Sequence, residues 1–102
     1  MKLTVNAGEH TYPILIDERA HYGALLPFVS GEKVVVITND VVGPLYVGAL
    51  ATALEDKDVE IIVVPDGEHY KTLDQANEIY SQLLAFGANR STTLVALGGG
   101  VI

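Results

Sequence analysis

Residues 2–6 alternate polar and apolar positions, and from residue 33 the chain turns to apolar runs set between segments of helical period. Lys2-Leu3-Thr4-Val5-Asn6 has the period of a half-buried strand. Gly8, Glu9 and His10 read as a turn, and Tyr12 to Ile16 as a returning strand that Pro13 assigns to a sheet edge. An antiparallel pair is the expected opening. Residues 20–29 suit a short helix, weakened by Gly23 and ended near Pro27.

Val34-Val35-Val36-Ile37 is a β-branched run of the kind buried on both faces of a parallel sheet. Pro44 suits the first turn of a helix reaching about Glu55, with Leu45, Ala49, Leu50, Ala53 and Leu54 on one face. A second run, Ile61-Ile62-Val63-Val64, closes at Pro65. Thr72 and Gln75 form a capping box ahead of Leu73, Ala76, Ile79, Tyr80, Leu83 and Leu84 at helical spacing. Gly87 is the expected stop, and Tyr46 and Tyr80 are expected in the core with their apolar neighbours. The last strand, residues 92–97, runs straight into Gly98-Gly99-Gly100. Three strands separated by two helices predict a Rossmann-like α/β fold: a parallel βαβαβ half-sheet preceded by the antiparallel pair.

At 102 residues the chain is one domain at most, and 49% hydrophobic content is enough for a core. A net charge of −7, with six basic residues spread along the chain, argues against nucleic acid as a partner. With no cysteine there is neither a disulfide framework nor a thiolate metal site. The opening residues do not read as a signal peptide, and no apolar run approaches the ~20 residues of a membrane span. A cytoplasmic location, away from membranes, is the default expectation.

Ligands of open α/β sheets bind outside the carboxyl ends of the strands. Three such ends carry polar or glycine residues: Thr38-Asn39-Asp40, residues 65–71, and Gly98-Gly99-Gly100. Each has two readings when taken alone. The glycine run either lets backbone approach a pyrophosphate or is a flexible tail, and it does not meet the G-x-G-x-x-G fingerprint. In residues 66–71, carboxylates can accept ribose hydroxyls and Lys71 can meet an anion, while an ordinary βα loop uses the same residue types. Asn39 suits an adenosine contact and a helix entry equally. His10, His21 and His69 are too dispersed for a metal site, and no Ser/His/Asp set suggests a triad.

Two segments taken together go further. Val64-Pro65-Asp66-Gly67-Glu68-His69-Tyr70-Lys71-Thr72-Leu73 and Thr92-Thr93-Leu94-Val95-Ala96-Leu97-Gly98-Gly99-Gly100-Val101-Ile102 resemble, in order and spacing, two motifs of the 3-dehydroquinate synthases. The Thr38-Asn39 strand end and the Tyr12-Pro13-Ile14 opening fit the same layout. The resemblance implies conversion of 3-deoxy-D-arabino-heptulosonate 7-phosphate to 3-dehydroquinate and phosphate, in the shikimate route to aromatic amino acids. It implies NAD used catalytically and a divalent metal, zinc or cobalt, as cofactors, and a homodimer.

Carried over by position, Asp66, Gly67, Glu68, His69, Tyr70 and Lys71 correspond to an NAD-contacting loop, with Glu68 toward a ribose and Lys71 toward the nicotinamide. Gly99, Gly100, Val101 and Ile102 correspond to the start of a pyrophosphate loop, and Asn39 to an adenosine-side position. The family's following Gly-Asp, its metal ligands (a glutamate and two histidines in a C-terminal helical domain) and its substrate-binding residues are not among these 102 residues. The expectation is therefore an incomplete N-terminal NAD-binding domain, inactive by itself and binding NAD weakly. Other sugar phosphate cyclases share the layout. A metal-dependent dehydrogenase of the glycerol dehydrogenase type shares the fold without the 66–71 segment, and a non-catalytic nucleotide-binding module is the alternative outside enzymes.

Overall fold

β-branched side chains pack well on a pleated surface, and the two such runs form adjacent strands. In the computed structural model, which describes residues 2–16, 22–67, 69 and 71–99, β3 (Lys33–Asn39) lies between β4 (Asp58–Val64) and β5 (Thr93–Leu97). Both pairings are parallel, with Val36 beside Ile61 on one side and Val95 on the other. Helix α1 (Gly43–Ala53) connects β3 to β4, and α2 (Leu73–Phe86) connects β4 to β5. This is the expected βαβαβ unit. A separate antiparallel hairpin, β1 (Lys2–Ala7) with β2 (His10–Leu15), opens the chain, and His10 pairs with Ala7 as the first residue of the returning strand.

Alternation along β3 sends its side chains to two layers. Val34 and Val36 pack with Leu50 and Leu54 of the α1 segment and with Val29, and Tyr22 and Leu25 close the edge of this core. Those last residues belong to a 3₁₀ turn, Tyr22–Phe28, which carries Pro27 inside it where a short helix was expected to end. The expected start of that helix at residues 20 and 21, with His21, lies outside the described residues. On the other face α2 packs chiefly against β4.

The helix ends follow from the sequence. Pro44 sits in the first turn of α1. Thr72 Oγ1 accepts from the Gln75 backbone N–H at 3.1 Å, and Gly87, at φ 79°, ends α2 in the left-handed conformation.

The helix faces differ from expectation. In α1 the buried positions are Gly43 and Leu50, while Leu45 is 69% exposed. Tyr46 and Tyr80 are not core residues: both rings are exposed, as are Leu73 and Leu84 on α2, where no residue is buried. The physical reason is coverage. A three-stranded sheet offers each helix a narrow platform, so apolar positions on the flank of the helical arc stay in solvent. No helix among the described residues is long and apolar enough to cross a membrane.

Candidate functional site

A βαβαβ unit brings its strand ends to one edge, and the two loops leaving β3 and β4 are tied together there. Asn39, the last residue of β3, is 3% exposed. Its Oδ1 accepts from the backbone N–H groups of Val41 (3.1 Å) and Val42 (2.7 Å), and its Nδ2 donates to Asp66 Oδ1 (3.1 Å). Backbone N–H groups only donate and a carboxylate only accepts, so this environment dictates which way the amide points. A second pair of bonds runs alongside: the Asp66 N–H donates to Asp40 Oδ1 and the Asp40 N–H to the Val64 carbonyl, both at 3.1 Å. On the opposite side of β3, Thr38 is fully buried and its hydroxyl donates to the Leu97 carbonyl at 2.8 Å. All three strand ends are thereby fixed to one another.

Between the ends of β3 and β4 and the first two turns of α2 lies a groove of about 260 Å³. Ile37, Val64, Pro65, Ala76 and Ile79 form apolar walls, and Asn39, Gly67, Lys71, Thr72 and Gln75 complete the lining. Gly67 has φ 120°, a conformation that favours glycine, and it turns the chain from β4 toward α2.

The structure thus gathers Asn39, Gly67 and Lys71 at one groove, with Asp66 joined to it through Asn39. His69 is exposed nearby in sequence. Gly99 follows β5 and does not line the groove; a Cβ built on it would meet nothing within 4 Å, so its backbone is open to approach. Glu68, Tyr70, Gly100, Val101 and Ile102 lie outside the described residues. The contribution of α2 was not singled out from sequence, although Thr72, Gln75, Ala76 and Ile79 recur at helical spacing and all line the groove. Among the described residues no three His, Cys, Asp or Glu side chains stand together as a group that could hold a metal ion.

Comparison with known proteins agrees with the two-motif reading. Residues 61–102, which contain both motifs, match the model of the 3-dehydroquinate synthase N-terminal family. The 3-dehydroquinate synthases of Psychrobacter cryohalolentis and Psychrobacter arcticus are 44% and 40% identical to the chain over 98% of its length. Both comparisons make the chain similar to the N-terminal part of 3-dehydroquinate synthases. It spans 29% of the length of each of these two curated relatives.

Among solved structures, 2-deoxy-scyllo-inosose synthase superposes on 99% of the chain with a TM-score of 0.84 at 23% identity, the chain covering 30% of that protein. A second structure of that enzyme, in complex with carbaglucose-6-phosphate, NAD+ and Co2+, matches at the same TM-score and identity over 28% of its length. At that identity the likeness is one of fold, and it matches the α/β architecture expected for a 3-dehydroquinate synthase N-terminal region.

Proposed function

We propose that the protein carrying this chain is a 3-dehydroquinate synthase, and that these 102 residues supply part of its NAD site. The observation that carries the reading is the 66–71 segment. It has the family's sequence and follows β4, and its Gly67 and Lys71 line a groove with Asn39. Asp66 is positioned to accept ribose hydroxyls, Lys71 to balance negative charge, and Gly67 and Gly99 to let backbone come close to the nucleotide. Bound NAD supplies reversible oxidation of a ring alcohol. This chain's part is to bind and orient that cofactor. The sugar phosphate is the proposed substrate, and the divalent metal, zinc or cobalt, belongs to ligands outside these 102 residues. The homodimer and the cytoplasmic location belong to the same proposal, as does the absence of synthase activity in these 102 residues alone.

Lys71→Ala in the protein carrying this sequence tests the site. Loss of one charged contact to NAD is expected to weaken binding about tenfold, the equivalent of ~1.4 kcal/mol, with turnover falling in parallel. Unchanged NAD affinity by calorimetric titration would remove Lys71 from the site.

A further inference from the structure

We propose that Asn39 is a positioning residue, which acts on the nucleotide through Asp66 rather than by touching it. The inference rests on the NAD reading above and assigns Asn39 a different part in it from the direct adenosine-side contact that the family resemblance implies.

Three observations carry it. First, Asn39 has almost nothing left to offer a ligand. Its amide has two acceptor sites and two donor hydrogens, and three of these four are used inside the protein, by Val41, Val42 and Asp66. Its exposure is 3%.

Second, the bonds are of two kinds. Those to Val41 and Val42 satisfy backbone N–H groups at the entry to α1, a task that aspartate or serine oxygens do equally well elsewhere. The bond to Asp66 spans 27 residues and joins a different loop. Only a side chain with an acceptor and a donor on the same planar amide group does both, and at this length that side chain is asparagine.

Third, Asp66 is exposed, and exposed side chains have many rotamers open to them. Its carboxylate is held on one side by Asn39 Nδ2, while its own N–H is held by Asp40. The carboxylate is thus pre-oriented beside Asn39, a residue of the groove lining, before any ligand arrives, and that lowers the entropic cost of binding.

The test exploits the separation of capping from clamping. Asn39→Asp keeps the capping oxygen but replaces the donor with a carboxylate oxygen set against that of Asp66. Asp66→Asn keeps an acceptor for Asn39 and reports whether the Asp66 charge matters to NAD. Asn39→Asp combined with Asp66→Asn rebuilds the bond with donor and acceptor exchanged. Melting temperature and NAD affinity by calorimetric titration are measured for all three in the protein that carries this sequence. For Asn39→Asp the expected result is a melting temperature lower by several degrees and NAD binding at least tenfold weaker. In the double variant both should return to the values of Asp66→Asn alone.

Melting and affinity both unchanged in Asn39→Asp would overturn the clamp. So would a loss that the double variant fails to recover, or a lowered melting temperature with NAD affinity intact, which would make Asn39 a structural cap only. If Asn39→Asp does not fold, folding of the double variant supports the clamp and its failure overturns it. Should Asp66→Asn bind NAD as the parent does, it is the NAD reading of Asp66 that falls; recovery of melting in the double variant still decides whether the two loops are clamped.

Discussion

Thr38 shows how much one buried hydroxyl can do at a strand end. It is fully buried, and its Oγ1 bond to the Leu97 carbonyl links β3 to β5 directly below the glycine run. Thr38→Val keeps the volume and removes the donor, so a loss of about 1 kcal/mol in unfolding free energy is expected by urea titration, and Thr38→Ser should recover most of it. A valine variant as stable as the parent would show the bond to be without net worth. The sequence placed Thr38 at the end of a β-branched run but held no sign that its hydroxyl turns inward, because periodicity marks a position and not the partner facing it. Asn39 is similar. A helix entry was one of two readings its sequence left open, whereas its bond to Asp66 depends on β4 pairing beside β3, which only the tertiary fold supplies.

At the level of elements, the strands were readable to within three residues at their ends and the helix faces were not. A run such as Val34-Val35-Val36-Ile37 is constrained on both faces, so one pattern determines both element and burial. A helix on a three-stranded sheet is constrained along one narrow line. Leu45, Leu73, Tyr80 and Leu84 satisfy the apolar period yet stay exposed, and on the α2 face of the sheet Leu94 of β5 is 56% exposed as well. Close approaches between loops are equally invisible in the chain. A Cβ on Gly31 would lie 2.1 Å from the Ser91 carbonyl oxygen, so the turn entering β3 meets the approach to β5 with no room for a side chain. Gly31→Ala should therefore cost roughly 1–3 kcal/mol, because backbone rather than a flexible side-chain tip must move. Gly48 within α1 is the matched control, since a Cβ there meets nothing within 4 Å. Gly48→Ala should stabilise by about 0.5–1 kcal/mol through helix propensity. Equal effects from the two substitutions in thermal melts would refute the steric argument.

Over the whole molecule, the radius of gyration is 14.3 Å, against about 13 Å for a compact domain of 100 residues. The hairpin contributes to this: β1 and β2 pair with each other, and Leu3, Tyr12, Ile14 and Leu15 remain exposed. The groove shares that openness. Its floor and one wall come from β3, β4 and α2, while Gly99 lies beyond β3 on the β5 side, away from the groove lining. A dinucleotide that contacts both the 66–71 loop and the glycine run must cross the end of β3, and only a fraction of its surface can then be covered by these elements. Sites that bind drug-sized ligands tightly bury about 70–90% of the ligand surface. NAD titrated into the 102-residue chain is accordingly expected to bind with Kd in the millimolar range, on the order of −4 kcal/mol. The corresponding titration of a relative of full family length should give a far lower Kd. Micromolar binding by the 102 residues alone would mean that the groove and the glycine run already form a closed site, and the clamp between Asn39 and Asp66 would then be holding a finished pocket rather than one side of it.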